Sequence, residues 1–474
     1  MVGAACVGVC ALVLACSDAM APGSAERTDD VDEGPADAAG PHSPPPSSSP
    51  TPDGGSATPA RLDADGGQHE APVELTYHRD VKPILDARCV GCHFDGGIGP
   101  MALGRFEEVE PWLDLIEHTV VRDLMPPWSA DMPTGFFLGD RRLTEHQKQT
   151  LLSWIAQGAE AGDPADASDA VTPASRGLER VDLRLPMAES YAPNVHPDDY
   201  RCFVMEWPLD GPRFITGLSI EPGDRSIVHH ALLYLVDRRD AQLEREQDAA
   251  ADGLGYGCLT GPGPRAARLY SFEPGGSGHA VPGGLGFEVE PGDVLVLQMH
   301  YNTLGGSGPD RSTVELTLED AVEARAINAS FARRSWINGW MPIAAGDPDA
   351  VHSYRGRPPS LDDSTRYAIH WVGLHMHALG SRGHIGIARD NAPDGIELLL
   401  DIPRWDFEWQ ETYLLAEPVI LEPGDQLYME CHWDNTADNQ PIVAGERLPP
   451  RDVNWGAGTT DEMCLGDILA QAID

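Results

Sequence analysis

Glu290-Pro291-Gly292-Asp293-Val294-Leu295-Val296-Leu297-Gln298-Met299-His300-Tyr301 reads as a reversal feeding a strand. Proline presets the first central position of a type II turn and glycine tolerates the left-handed second one. The residues behind the turn are β-branched or alternating, which suits a pleated, half-buried surface. The same tetrapeptide recurs at 221–224 and 422–425, with a similar run close behind each time. Many short strands and few helix patterns predict antiparallel sandwiches from 177 to 474. Roughly 300 residues exceed what one sandwich core serves, so two are expected, over 177–330 and 331–474. No solenoid-period repeat and no phosphate-binding glycine loop is found.

Outward from this region the composition changes twice. Residues 164–176 are small and polar and mark a linker, whereas 76–163 show helical spacing in Trp112, Leu113, Ile116, Val120 and again in Leu151, Leu152, Trp154, Ile155. Residues 17–75, rich in Pro, Ser, Ala, Gly and Asp, read as a disordered tether. The apolar run Val2 to Leu14 is too short to span a bilayer, for which about 20 residues are needed, and reads as a secretory signal over 1–16. Ala15 before Cys16 suits a lipobox with lipid on Cys16, although 1–15 lack Lys and Arg and an ordinary signal cleaved nearby stays open. The chain is thus expected to be exported, periplasmic or membrane-anchored by lipid, with no transmembrane helix. Across all 474 residues, Lys plus Arg number 33 against 75 Asp plus Glu, a net charge of −42 that repels nucleic acid.

The nine cysteines sort by position. Cys6 and Cys10 fall in the signal, Cys16 takes lipid, and Cys89 and Cys92 lie in Cys89-Val90-Gly91-Cys92-His93. Cys202, Cys258, Cys431 and Cys464 remain, an even number that in an exported chain suggests two disulfides. Cys-x-x-Cys-His offers two thiols for thioethers to haem and an imidazole for its iron. Zinc would need two more ligands, and a thioredoxin motif would sit in a βαβ unit. For the other face of the iron, Met101, Met125 and Met132 stand downstream, and Met125, stiffened by Pro126 and Pro127, is the expected ligand. Thr144 suits the N-cap of the helix that follows. This stretch, with Thr76-Tyr77-His78-Arg79-Asp80-Val81-Lys82-Pro83-Ile84-Leu85-Asp86-Ala87-Arg88 ahead of Cys89, resembles the class I cytochromes c over 76–163. The resemblance implies a small all-α cytochrome c domain carrying one covalently bound haem c.

The histidines of the β region stand in patterned positions. His375 and His377, in Leu374-His375-Met376-His377, are two apart, so in a strand both imidazoles share a face and can reach one ion. His229 and His230, in Ser226-Ile227-Val228-His229-His230-Ala231-Leu232-Leu233-Tyr234, are adjacent, and a shared ion then requires a bulge or a twist. His300 ends its strand, with Gln298 on its face.

In order along the chain, the HHALLY, LQMHY and LHMH motifs and Asp461-Glu462-Met463-Cys464 resemble the copper type II, ascorbate-dependent monooxygenases over about 200–466. The resemblance implies two copper ions and two jelly-roll-like all-β sandwich subdomains. By motif, His229, His230 and His300 would hold the electron-storing copper, and His375, His377 and Met463 the catalytic copper where oxygen reacts. Imidazole serves both oxidation states of copper, and a thioether favours Cu(I). A Cys431–Cys464 disulfide is also implied, which leaves Cys202 for Cys258. The implied partners are a small-molecule substrate, O2 and an external electron donor.

Peptide-amidating members carry an Arg two residues before the His-x-His motif and a Tyr four residues after the ligand Met. Gly373 and Asp467 stand there in this chain, which speaks against a peptidylglycine substrate. Asp467 would suit an amine or a neutral polar group, or is a solvated loop carboxylate. The expectation is a monooxygenase that hydroxylates an aliphatic C–H bond, with electrons supplied or relayed by its haem segment. The alternatives are a periplasmic copper or haem electron-transfer or copper-binding protein without hydroxylase activity, a haem peroxidase, and a surface lipoprotein.

Overall fold

The computed structural model describes residues 74–474 except 96, 98, 168–177, 197, 259–260, 263–265, 273–277, 304–305, 307, 393–394, 408, 444–445, 457–459 and 474. The signal with Cys16, nearly all of the tether over 17–75 and most of the 164–176 linker lie outside the described residues.

Two of the three Glu-Pro-Gly-Asp turns form as their chemistry demands, each carrying the chain from a strand of one sheet to a strand of another. Gly292 and Gly424 take φ of 94° and 88°, and the Asp293 and Asp425 amides donate to the Glu290 and Glu422 carbonyls, both at 3.1 Å. The turn at 221–224 is held from elsewhere, by the Asp310 carboxylate accepting from the Gly223 and Asp224 amides at 2.8 and 2.9 Å.

In the N-terminal half, strands Asp198–Glu206, Val294–Asn302, Val228–Val236 and Ala267–Phe272 lie side by side. A second sheet runs Leu183–Pro186, Thr313–Glu319, Arg213–Glu221 and Leu285–Val289. Phe203, Leu233 and Leu297 of the first and Ile215, Leu218, Phe287 and Leu316 of the second share one apolar core. The C-terminal half repeats this economy. Strands Ile327–Phe331, Leu465–Ile473, Arg366–His375 and Thr412–Leu421 form one sheet, and Ala350–Gly356, Gln426–Trp433, Gly380–Ala388 and Ile396–Ile402 the other. Their core includes Ile369, Val372, Ile385, Leu400, Met429 and Ile468. Two disulfides staple the halves internally, Cys202–Cys258 with Cα atoms 5.7 Å apart and Cys431–Cys464 at 6.0 Å.

The expected fold class, a small all-α domain followed by two separate sandwiches, is corrected by this arrangement. Glu70–Asp474 form one compact unit, mostly β-sheet with few helices. Within 76–163 the longest helix is Glu145–Ala156, and the local apolar cluster is small, built on Tyr77, Leu85, Leu103, Val109, Leu151 and Trp154. Ala130, Met132 and Phe137 are instead buried in the C-terminal β core. The Asp131 amide donates to the Asp401 carbonyl and the Leu138 amide to the Leu414 carbonyl, both at 2.8 Å. Short helices bury too little apolar area to close a core alone, so this segment spends its aromatic side chains on the neighbouring sheet. The two β halves are not independent either, since Trp371 and Leu469 of the C-terminal half lie in the N-terminal core. Among the described residues no helix is long and apolar enough to cross a membrane.

Candidate metal centres

His229, His230 and His300 meet. Each offers one ring nitrogen, and these atoms lie within 4.8 Å of one another. The bulge that adjacent histidines require is present, as the register of Val228–Val236 against Val294–Asn302 shifts between Val228 and His230, leaving His230 directly opposite His300. The Nδ1 atom of His230 sits 3.4 Å from Nδ1 of His229 and 3.2 Å from Nδ1 of His300. Nitrogens about 2.0 Å from a shared first-row metal would have about this spacing.

On the far side of the His300 ring, Nε2 lies 2.9 Å from Asp198 Oδ1, which also accepts from Asn302 Nδ2 at 3.0 Å. Burial raises the Asp198 carboxyl, but these bonds win and hold it below its ordinary value. A carboxylate on Nε2–H fixes the tautomer that leaves Nδ1 as a ligand. The Tyr200 ring stacks on His300 at 4.1 Å with 7° between planes. Burial, then the neighbouring His300, pushes His229 down to about 4, and burial with His300, His229 and His375 pushes His230 well down too. Both are therefore neutral near pH 7, as metal ligation requires.

The second group sits where a strand ends. Arg366–His375 terminates at His375, whose ring centroid is 5.1 Å from that of His377 just beyond. Each Nδ1 is engaged, that of His375 2.6 Å from Gln410 Oε1 and that of His377 3.0 Å from the Asp461 carbonyl oxygen. With Nδ1 engaged on each ring, Nε2 is the nitrogen that a metal would take. Burial, then His377, pushes His375 down to about 3. His375 pairs in register with Leu465, and the buried Glu462 carboxylate accepts from the amides of His377 at 2.9 Å, Leu379 at 2.7 Å and Met463 at 3.3 Å and from Trp433 Nε1 at 2.8 Å. Glu462 thus ties the backbone of Met463 to that of His377, and the Cys431–Cys464 bridge pins the next residue.

Between the two groups lies a buried ion pair. Arg268, on a strand of the N-terminal half, places Nη2 2.9 Å from Oδ2 of Asp467, on a strand of the C-terminal half, with side chains 13% and 5% exposed. Asp467 pairs in register with Gly373, and a Cβ on Gly373 would lie 2.5 Å from Arg268 Nη2. Asp467 is therefore neither a solvated loop carboxylate nor an open anion awaiting an amine. Gln298 is anchored as well, donating from Nε2 to the Cys258 carbonyl at 2.6 Å.

Cys89, Cys92 and His93 occupy one tight turn, with the Cys92 and His93 amides donating to the Cys89 carbonyl at 3.1 and 2.9 Å. Both thiols are unbridged and half-buried, Cys89 packs on the local apolar cluster, and His93 Nδ1 lies 3.2 Å from the Met101 carbonyl oxygen. Two thiols outside any disulfide and an imidazole oriented by a carbonyl, against an apolar surface, fit covalent haem attachment. Burial, then Cys92, pushes the Cys89 thiol up to about 12. Met125 is 42% exposed ahead of a cis bond to Pro126, and no described contact joins it to His93.

Sequence reasoning missed Asp198, Tyr200, Gln410, Glu462 and Arg268. Glu462 had a signal, a carboxylate immediately ahead of Met463 and of the hydrophobic strand that follows it. The aromatic series Trp405, Phe407, Trp409 could have pointed to Gln410. Residues 362–469 match the family described as copper type II ascorbate-dependent monooxygenase, C-terminal domain. The chain is 26% identical over 262 residues to DBH-like monooxygenase protein 1 of Homo sapiens, covering 53% of this chain and 40% of that protein. The mouse protein of that name is 26% identical over 265 residues with the same coverage, and DBH-like monooxygenase protein 2 of Mus musculus is 39% identical over 61 residues, 13% of this chain and 8% of its own. The match thus spans well under half the length of these curated relatives. By these comparisons the chain is similar to copper type II, ascorbate-dependent monooxygenases over part of its length.

Proposed function

We propose that this protein is an exported copper-dependent monooxygenase that hydroxylates an aliphatic C–H bond of a small molecule, with electrons relayed through haem bound at Cys89, Cys92 and His93. The balanced reaction is R–H plus O2 plus two electrons and two protons giving R–OH and water. The observation that carries the reading is the convergence of His229, His230 and His300, with a second imidazole pair on the other half of the same unit. When bound, copper supplies the redox centre that activates O2, and haem passes one electron at a time.

The chain's own residues prepare these sites. Asp198 holds the His300 tautomer, Gln410 and the Asp461 carbonyl hold those of His375 and His377, and Glu462 keeps the Met463 backbone beside them. Arg268 beside Gly373 is already neutralised by Asp467, so the reading favours an uncharged substrate over a carboxylate or an amine. Export and a lipid on Cys16 belong to the same proposal, supported by the disulfides and by a haem-attachment motif suited to an oxidising compartment.

The test is metal and haem stoichiometry on protein matured in a periplasm, followed by oxygen uptake with candidate substrates. Two coppers and one haem, with one copper lost in His375→Ala, are expected. Protein that binds copper yet consumes no oxygen with any substrate would be an electron-transfer or storage protein instead.

A further inference from the structure

Residues of the stretch 401–411 touch both histidines of the second site. Its Gln410 meets His375 Nδ1 at 2.6 Å, its Trp405 donates from Nε1 to the His377 carbonyl at 3.1 Å, and its Phe407 ring lies 6.0 Å from that of His377. This loop is gripped from outside by a strap of the N-terminal segment, 123–142. At one end the Asp131 amide donates to the Asp401 carbonyl at 2.8 Å, and Arg404 Nη2 reaches the Asp123 carbonyl at 3.5 Å. At the other, Phe137 bridges Leu415, and Trp128 packs edge-on against Tyr413 at 5.3 Å.

Arg141 closes the grip. Its guanidinium forms an ion pair with Glu411, the residue next to Gln410, and lies 5.5 Å from the ring of Trp128 and 5.2 Å from that of Trp409. The Glu411 side chain is 6% exposed, so its charge depends on this partner. A planar, weakly hydrated cation between two indoles is a fixed wedge, which an ammonium would not reproduce.

We propose that Arg141 is a positioning residue for the His375 and His377 copper site, locking Gln410 and so the His375 tautomer, and that through it docking of the segment bearing Cys89, Cys92 and His93 sets the readiness of that site alone. The inference rests on the two-copper reading above. It gives the strap a role that the His229, His230 and His300 site does not share, since the bonds holding those rings come from Asp198 and from strand register.

The test titrates full-length, haem-matured protein with Cu(I) and then with Cu(II), comparing wild type, Arg141→Met and Arg141→Lys. Partners of ligand histidines are worth about 10–100-fold in metal affinity, and an effect passed through one more residue belongs at the lower end, about tenfold. Arg141→Met is therefore expected to weaken one copper about tenfold and to alter its Cu(II) hyperfine spectrum, leaving the other copper unchanged. Arg141→Lys should restore folding stability but only part of the spectrum, because it supplies charge without the stack. Tryptophan fluorescence reports whether Trp128 and Trp409 have parted. Two unchanged coppers in Arg141→Met with the tryptophans parted would overturn the positioning role. Fewer than two coppers in wild type would overturn the parent reading first. Should Arg141→Met fail to fold, Glu411→Gln keeps the stack while removing the ion pair, and the same selective loss is expected of it.

Discussion

The two histidine groups are built on opposite principles. His230 and His300 face each other across a central strand pair, so the ladder that holds the sheet also sets their spacing, and the bulge at His229 delivers the third ring. His375 is the last paired residue of its strand and His377 lies beyond it, where register no longer helps, and side chains from elsewhere take over: Gln410, Trp405 and Glu462. A site made by register is rigid as long as the sheet exists. A site made by props can be tuned, and lost, one prop at a time, which suits a centre that must admit substrate.

The joint between the halves is where this contrast breaks most easily. Removing one member of a buried ion pair strands the other, at about 3–5 kcal/mol, whereas replacing both with apolar residues is often neutral. Arg268→Met should therefore lower unfolding stability by that amount in urea melts, and Arg268→Met with Asp467→Leu should recover most of it. A single variant costing under about 1 kcal/mol would mean that the halves are held mainly by shared apolar core.

Acid sharpens the contrast next. His229 and His375 are pushed by burial from an ordinary 6.5 to about 4 and about 3. As pH falls, the unfolded chain takes up these protons before the folded one, so stability of metal-stripped protein rises with pH through this window and is lost on going from about 6.5 toward 4. For His229 the loss is up to about 3 kcal/mol. Urea melts of metal-stripped protein at pH 7 and pH 5 should show the drop, and His229→Asn should lessen it while the His375 share remains. A flat profile in the wild type would show that water reaches these rings.

Much of this was legible from the chain alone, for physical reasons that also explain what was not. Local chemistry dictates a type II turn at Pro291-Gly292 and at Pro423-Gly424, and both turns form; at 221–224 a distant residue, Asp310, decides instead. Adjacent histidines sharing one ion called for a bulge or a twist, because neighbours in a strand face opposite ways, and a bulge is what forms. The helical stretch misled because periodicity reports amphipathic faces and not what covers them. Ala130, Met132 and Phe137 found their cover in a sheet more than two hundred residues later. Asp198, Gln410 and Arg268 were invisible for the same reason, since each acts across a distance in sequence that no motif spans. Asp467 could be read as an anion but not as a paired one.

The props themselves can be compared directly. Asp198→Ala and Gln410→Ala each remove the partner of a ligand histidine, and each is expected to cost its own copper about 10–100-fold in affinity while sparing the other. Competition titrations with Cu(I) chelators would measure this. Loss of both coppers from either variant would mean that the two sites form one cooperative structure, and the contrast would have to be withdrawn.

The smallest expected effect tests how complete the rigid site is. Tyr200 lies flat on His300 at 4.1 Å and pairs with it in register, so strand pairing places both rings before any metal arrives. Such a stack is worth about 0.5–1.5 kcal/mol beyond area burial, and Tyr200→Leu keeps most of the apolar contact. If register alone positions His300, the variant should lose no more than about tenfold in copper affinity and keep the wild-type Cu(II) spectrum at that site, because Asp198 still holds the tautomer. A changed spectrum would show that His300 leans on Tyr200 as well as on Asp198, and the two centres would then differ in degree and not in kind.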